Sequence, residues 1–206
     1  MAGFELYEAT LWDPERGYFL LERHLDRLGA SAAHFGFAFD RAEVTRRLAE
    51  FARDLRAPRK VRWELSADGS LFVEDVELKP STVVRVALAR TRIDSRDEFL
   101  RHKTSRREVY QAALRAHPEV DDVVLWNEHG ELTELCASNL VLELEGRRVT
   151  PHRESGLLPG TFRAELLARG EIQEEVLPVK SLERASALFG VNSARRWYPL
   201  ELVRLQ

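Results

Sequence analysis

The second half of this chain is punctuated by turn signals at intervals that leave room for strands and little else. Asn127-Glu128-His129-Gly130, Gly146, Pro159-Gly160 and Gly170 fall among apolar stretches at Asp122 to Trp126, Leu132 to Glu134, Leu140 to Leu144 and Val149. Further stretches follow at Ile172 to Leu177, Ala187 to Val191 and Pro199 to Val203. Short apolar stretches bounded by Gly, Pro, Asn and Asp are strand signals. Only Glu108 to His117, and the stretch from Thr161 to Ala168 that Pro159-Gly160 introduces, suit helices. A strand-rich half with few helices points to a distorted barrel or a folded sheet.

The first half reads differently. Phe4 to Trp12 suits a strand, and Asp13-Pro14-Glu15-Arg16-Gly17 a turn leading into Tyr18-Phe19-Leu20. Leu21, Leu25, Leu28 and Ala32 recur at helical spacing up to a stop at Gly36. Asp40 can cap a second helix with Val44, Leu48, Phe51 and Leu55 on one face, ending before Pro58. Val61 to Leu65 and Leu71 to Val76 flank Ala67-Asp68-Gly69-Ser70, a hairpin signal. With a further strand at Val83 to Ala89, the expectation is a small α+β domain over 1–90, a polar connection over 91–102, and a larger strand-rich domain over 103–206.

Composition narrows the function classes. Hydrophobic residues make up 44%, enough for a core, and the net charge of -3 comes from interleaved signs, so no basic patch argues for nucleic acid. No apolar run is long enough to span a membrane, and Met1-Ala2-Gly3-Phe4-Glu5 has no secretory character. The single cysteine, Cys136, excludes an intramolecular disulfide and CxxC-type metal sites. These features fit a cytoplasmic protein that handles small molecules without a metal. Among 31 basic residues, moreover, the lysines are only Lys60, Lys79, Lys103 and Lys180. Where charge alone suffices the chain uses arginine, so a retained lysine draws attention to its amine, which can form a Schiff base.

His102-Lys103-Thr104-Ser105-Arg106-Arg107-Glu108-Val109-Tyr110 places such a lysine just before a helix, where the two halves meet. A lysine there could reach a cleft between domains, a common place for a ligand. The segment resembles the cofactor-lysine segment of class IV aminotransferases. These pyridoxal 5'-phosphate (PLP) enzymes include branched-chain and D-amino-acid transaminases and aminodeoxychorismate lyase. Four more segments resemble the family in the same order: Phe19 to Leu28, Gly130 to Leu140, Gly156 to Arg163 and Leu188 to Pro199.

The resemblance implies that Lys103 holds the cofactor and is the catalytic base. It puts Arg27 on the cofactor phosphate, a dianion suited to a guanidinium fork, and Glu134 opposite the pyridine nitrogen. Backbone donors of Thr161 and Phe162, opening a helix, and the hydroxyl and amide of Ser193 complete the phosphate contacts. Arg106 and Arg107 are candidates for substrate carboxylates. His24 and Asn139 read as structural. The implied fold is the two-part class IV PLP fold, a small α+β N-terminal part and a strand-rich pseudo-barrel C-terminal part.

Within the family, Asn192-Ser193 and the lines Phe4 to Leu28 and Gly156 to Ile172 lean toward the lyase-type domain fused behind aminodeoxychorismate synthase component I. The implied reaction releases pyruvate and 4-aminobenzoate from 4-amino-4-deoxychorismate, in folate biosynthesis. A homodimer and an aminodeoxychorismate synthase partner are implied with it. The alternatives are a transaminase for branched-chain or D-amino acids, or a PLP-fold module without turnover. Three departures bear on that choice: a front segment usual in the family is missing before Phe4, Ala9 and Leu11 stand where fused domains have Thr and Arg, and Arg196 replaces a customary glycine.

Overall fold

Alternation along the first strand sets the inner face of the first sheet: Leu6, Glu8, Thr10 and Trp12 are buried, while Ala9, Leu11 and Asp13 are half-exposed. In the computed structural model, which describes residues 3–78 and 82–203, this strand is β1 (Leu6–Asp13). The chain folds into two compact units, one from residues 3–78 and 102–106, the other from 82–101 and 107–203.

In the first unit β1 is followed by β2 (Gly17–Tyr18), α1 (Leu21–Phe35), α2 (Arg41–Ala52), β3 (Arg59–Leu65) and β4 (Leu71–Val76). The strands form an antiparallel sheet in the order β2-β1-β3-β4. Leu25, Leu28 and Ala32 of α1 are buried, with Leu48 of α2 and Val61, Trp63 and Leu65 of β3. Burying each of the larger side chains contributes roughly 1.5–3 kcal/mol. Gly36 closes α1 in the left-handed region at φ 71°, its N–H donating to the Ala32 carbonyl. The Asp40 carboxylate caps α2 by accepting from the amides of Ala42 and Glu43.

The second unit runs through β5 (Val84–Leu88), α3 (Glu108–Ala116), β6 (Asp122–Trp126), β7 (Leu132–Leu135), β8 (Asn139–Leu144) and β9 (Arg147–Pro151). It ends with α4 (Thr161–Ala168), β10 (Gln173–Glu175), α5 (Ser181–Arg184), β11 (Ala187–Asn192) and β12 (Arg196–Leu202). Eight strands lie in the order β10-β9-β8-β11-β12-β5-β6-β7, and an additional pairing of β7 with β8 closes six of them into a ring. β5 runs parallel to both neighbours in that ring, β12 and β6, while the other ring pairings are antiparallel. Val86, Val124, Leu132, Leu135, Leu140, Leu142 and Tyr198 belong to one buried apolar cluster of this unit. The fold is therefore mixed α+β with a closed strand barrel.

The units divide the chain at other places than the sequence pattern suggested. β5, expected in the first domain, pairs with β6 and β12 of the barrel. Residues 103–106, expected to open the larger domain, and His102, expected in the connection, belong to the first unit instead. There the Tyr7 amide donates to the Lys103 carbonyl at 2.9 Å, and the Ser105 amide to the Glu5 carbonyl at 2.9 Å. Such pairings join residues far apart in sequence, which no local pattern encodes.

Candidate active site

The barrel's closing seam is a single residue pair, Glu134 of β7 opposite Asn139 of β8. Both are buried, Glu134 only 4% exposed. A buried carboxylate needs donors, and three neutral ones reach this one. Tyr110 Oη on α3 donates to Oε1 at 2.8 Å, the Leu158 amide to the same oxygen at 3.2 Å, and Asn139 Nδ2 to Oε2 at 3.3 Å. Asn139 Nδ2 also donates to the Leu158 carbonyl at 2.8 Å, tying the seam to the loop before α4. Arg107 supports Tyr110 from outside: its guanidinium lies 4.6 Å from the ring centroid and donates to the Cys136 carbonyl.

That loop leads into α4, whose capping residue, Gly160, offers no side chain to the first-turn amides. A Cβ at Gly160 would overlap Asn139 Oδ1, so the seam and the helix start require glycine here. Thr161 and Phe162 open the helix and are buried. The Thr161 hydroxyl donates to the Ser193 hydroxyl at 3.3 Å, also buried. Ser193 is fixed by the turn that Asn192 makes, its Oδ1 accepting from the amides of Ala194 and Arg195. Arg163, one turn into α4, is buried and bonds the Pro151 carbonyl and Glu174, anchoring the helix to β9 and β10. Two hydroxyls beside the amides of a helix N-terminus make a donor set suited to a phosphate.

Lys103 lies in the first unit, half-buried, with Nζ 4.4 Å from the centroid of the Tyr7 ring. Arg27 and His24, one turn apart on α1, both reach Glu8 of β1. Arg27 Nε donates to Glu8 Oε1 at 2.8 Å and Nη2 to Oε2 at 2.6 Å; His24 Nδ1 is 2.7 Å from Oε2. Burial by itself would raise the Glu8 pKa, but the charges and hydrogen bonds of Arg27 and His24 outweigh it and hold the group down at about 2. With Glu8 ionised, His24 Nδ1 carries the proton and donates. The His24 pKa is lowered by burial, against the opposing pull of Glu8. Arg106 is exposed, its guanidinium 5.6 Å from the centroid of the Phe4 ring.

The sequence-derived candidates thus fall into two groups. Arg27, Lys103 and Arg106 belong to the first unit; Arg107, Glu134, Thr161, Phe162 and Ser193 belong to the second. Sequence reasoning passed over Glu8 and Tyr110. Glu8 could have been found from its register, since it occupies the buried face of β1 between Leu6 and Thr10, where a carboxylate requires partners. Tyr110 gave a weaker signal, a buried-face aromatic on the helix that starts just after Lys103.

Among the described residues no group of three or more His, Cys, Asp or Glu side chains could hold a metal ion, and no helix is long and apolar enough to cross a membrane. The fold is that of the type IV PLP enzymes. Residues 5–203 match the family model of amino-transferase class IV, and the chain belongs to that family, whose members are PLP-dependent enzymes. A Schizosaccharomyces pombe protein provisionally named aminodeoxychorismate lyase is 31% identical over 93% of this chain and 86% of its own length. A crystal structure from Mesorhizobium loti, provisionally named an amino-acid aminotransferase, superposes with a TM-score of 0.91 at 37% identity, covering 97% of this chain and 100% of that one. A Legionella pneumophila structure, provisionally named 4-amino-4-deoxychorismate lyase, shares the fold with a TM-score of 0.85 at 22% identity, covering 96% and 82%.

Proposed function

We propose that this chain is a PLP-dependent 4-amino-4-deoxychorismate lyase, releasing pyruvate and leaving 4-aminobenzoate for folate synthesis. The observation that carries the cofactor reading is Glu134, a buried carboxylate held by neutral donors on the barrel seam, on the same unit as the Thr161 and Ser193 hydroxyls. The donor set fits PLP: a carboxylate for the ring nitrogen, hydroxyls and helix amides for the phosphate. The lyase outcome is supported by the Schizosaccharomyces pombe relative and by the Asn192-Ser193 form of the last segment.

Lys103 Nζ is the group that would hold the cofactor covalently and then take and return a proton at the substrate. Arg27, the Thr161 and Phe162 amides and Ser193 would hold the phosphate. Bound PLP supplies an electron sink, strengthened by a carboxylate at its ring nitrogen. Tyr110, Asn139 and the Leu158 amide orient that carboxylate. Arg107, engaged with Tyr110 and the Cys136 carbonyl, contributes to this support as well as standing with Arg106 as a candidate for substrate carboxylates.

A second reading, a transaminase, is favoured by the Mesorhizobium loti relative at 37% identity. The two separate in one assay. PLP-loaded protein is given 4-amino-4-deoxychorismate, and pyruvate is followed by a coupled dehydrogenase. The lyase releases pyruvate and 4-aminobenzoate in equal amounts without an added keto acid. Amino transfer to an added keto acid with no pyruvate would establish the transaminase instead, and neither product would leave a module without turnover. The same reading includes a homodimer, an aminodeoxychorismate synthase as supplier, and a cytoplasmic compartment. A monomer by sedimentation at micromolar concentration would remove the dimer from it.

A further inference from the structure

We infer that Glu8 is a positioning residue for the anion-binding face of Arg27, which rests on the reading of Arg27 as a phosphate contact. Glu8 is 1% exposed, and its two oxygens take Arg27 Nε and Nη2 at 2.8 and 2.6 Å, a side-on fork that fixes the plane of the guanidinium. His24 reaches the same Oε2 at 2.7 Å and is itself fully buried. Its ring packs edge-on to Trp63, the cross-strand partner of Glu8, with centroids 5.8 Å apart. One carboxylate on β1 therefore anchors two side chains of α1, and the anchor is itself braced by the sheet.

A guanidinium has five N–H donors in a rigid plane, and Glu8 takes only two of them. Once that edge is fixed, the directions of the remaining donors are fixed as well. An arginine on a flexible stem must give up rotamer freedom to meet a phosphate; one held in this fork has already done so. Glu8 touches neither cofactor nor substrate in this scheme and acts only through Arg27. Its negative charge also opposes a phosphate, so orientation and charge pull in opposite directions. Within a pair this close and this buried, the fixed geometry wins.

The test compares PLP with pyridoxal, which lacks the phosphate, by absorbance titration of the cofactor-stripped full chain. Wild type is expected to prefer PLP. In Glu8→Gln that preference should fall at least tenfold, through a weaker PLP constant with pyridoxal unchanged. The effect should shrink several-fold in an Arg27→Gln background, because both substitutions remove one interaction. Glu8→Asp keeps the charge and serves if Glu8→Gln does not fold; its shorter side chain should also lower the preference. A role confined to stability would weaken PLP and pyridoxal alike, or neither, and either result overturns the inference. So would an increased preference for PLP, which would mean that charge outweighs orientation. If wild type binds neither compound, the functional reading itself has failed, which is distinct from a wild-type preference that Glu8→Gln leaves intact.

Discussion

The two units each bury a carboxylate on a strand, and the partners identified around the two differ in character. Glu8 in the first unit is met by a guanidinium and an imidazole, so its charge is balanced where it stands. The donors identified for Glu134 in the barrel are a phenol, a carboxamide and a backbone amide, none of which carries a charge. The first arrangement is a brace between helix and sheet. The second orients two carboxyl oxygens through hydrogen bonds from a phenol, a carboxamide and a backbone amide, the geometry that the proposed contact with a ring nitrogen would use.

That comparison breaks most readily on the barrel side. Glu134→Gln, whose side-chain carbonyl can still accept from Tyr110 and the Leu158 amide, should lower turnover on the order of 100-fold, the scale of losing a preorganised electrostatic contact, while leaving the melting temperature close to wild type. Steady-state kinetics beside calorimetry checks it, and full turnover would make Glu134 an ordinary seam residue.

Glu8→Gln should cost stability in addition to weakening PLP binding. Removing one partner of a buried pair leaves Arg27 and His24 uncompensated, at about 3 kcal/mol. The pH dependence carries the same signature. The folded pKa of Glu8, about 2, lies below its ordinary value of 4.5, so the unfolded chain takes up the proton first. The contribution is complete above pH 4.5 and is lost as pH falls toward 2. His24, also lowered, adds to the loss in the same acid direction. Denaturant melts across this window should be flatter for Glu8→Gln than for wild type; parallel curves would contradict the assignment.

Gly160→Ala sharpens the comparison at intermediate size. The added Cβ displaces Asn139, which holds both Glu134 and the Leu158 carbonyl. The expected cost is about 1–3 kcal/mol of overpacking, together with weaker retention of PLP on dialysis. The smallest effect has the opposite sign. Arg196 sits at φ 60°, where glycine is favoured, so Arg196→Gly should raise stability by about 1 kcal/mol. A fall in stability would mean that the arginine side chain earns its place through contacts.

Much of this was written locally in the chain. The helical repeat from Leu21 to Ala32 ends at a glycine that is left-handed in the structure, and Ala67 to Ser70 turns β3 into β4. The Pro159-Gly160-Thr161 signal marks the start of α4, because glycine is the residue that fits against Asn139. What local pattern could not supply is pairing at long range. β5 has the same short apolar pattern as its predecessors, yet it pairs in parallel with β6 and β12. β12 begins at Arg196, three residues ahead of the apolar stretch that signals it, since the positive φ of Arg196 is compatible with a turn that sequence reserves for glycine. Among the candidate site residues, Lys103 and Glu134 come from motif order alone. Glu8 was legible only as a carboxylate on a buried strand face; its partners, two residues of α1, approach it only once helix and sheet have packed.

The proposed chemistry depends on the Lys103 amine, and reductive trapping tests it most directly. Full-length protein is incubated with PLP, reduced with borohydride and digested, and the modified peptide is identified by mass spectrometry, with Lys103→Ala in parallel. Wild type should show a visible absorbance band that Lys103→Ala lacks, and cofactor mass on the peptide containing Lys103. A band that survives in Lys103→Ala, or label found on Lys60 or Lys180 instead, would contradict it.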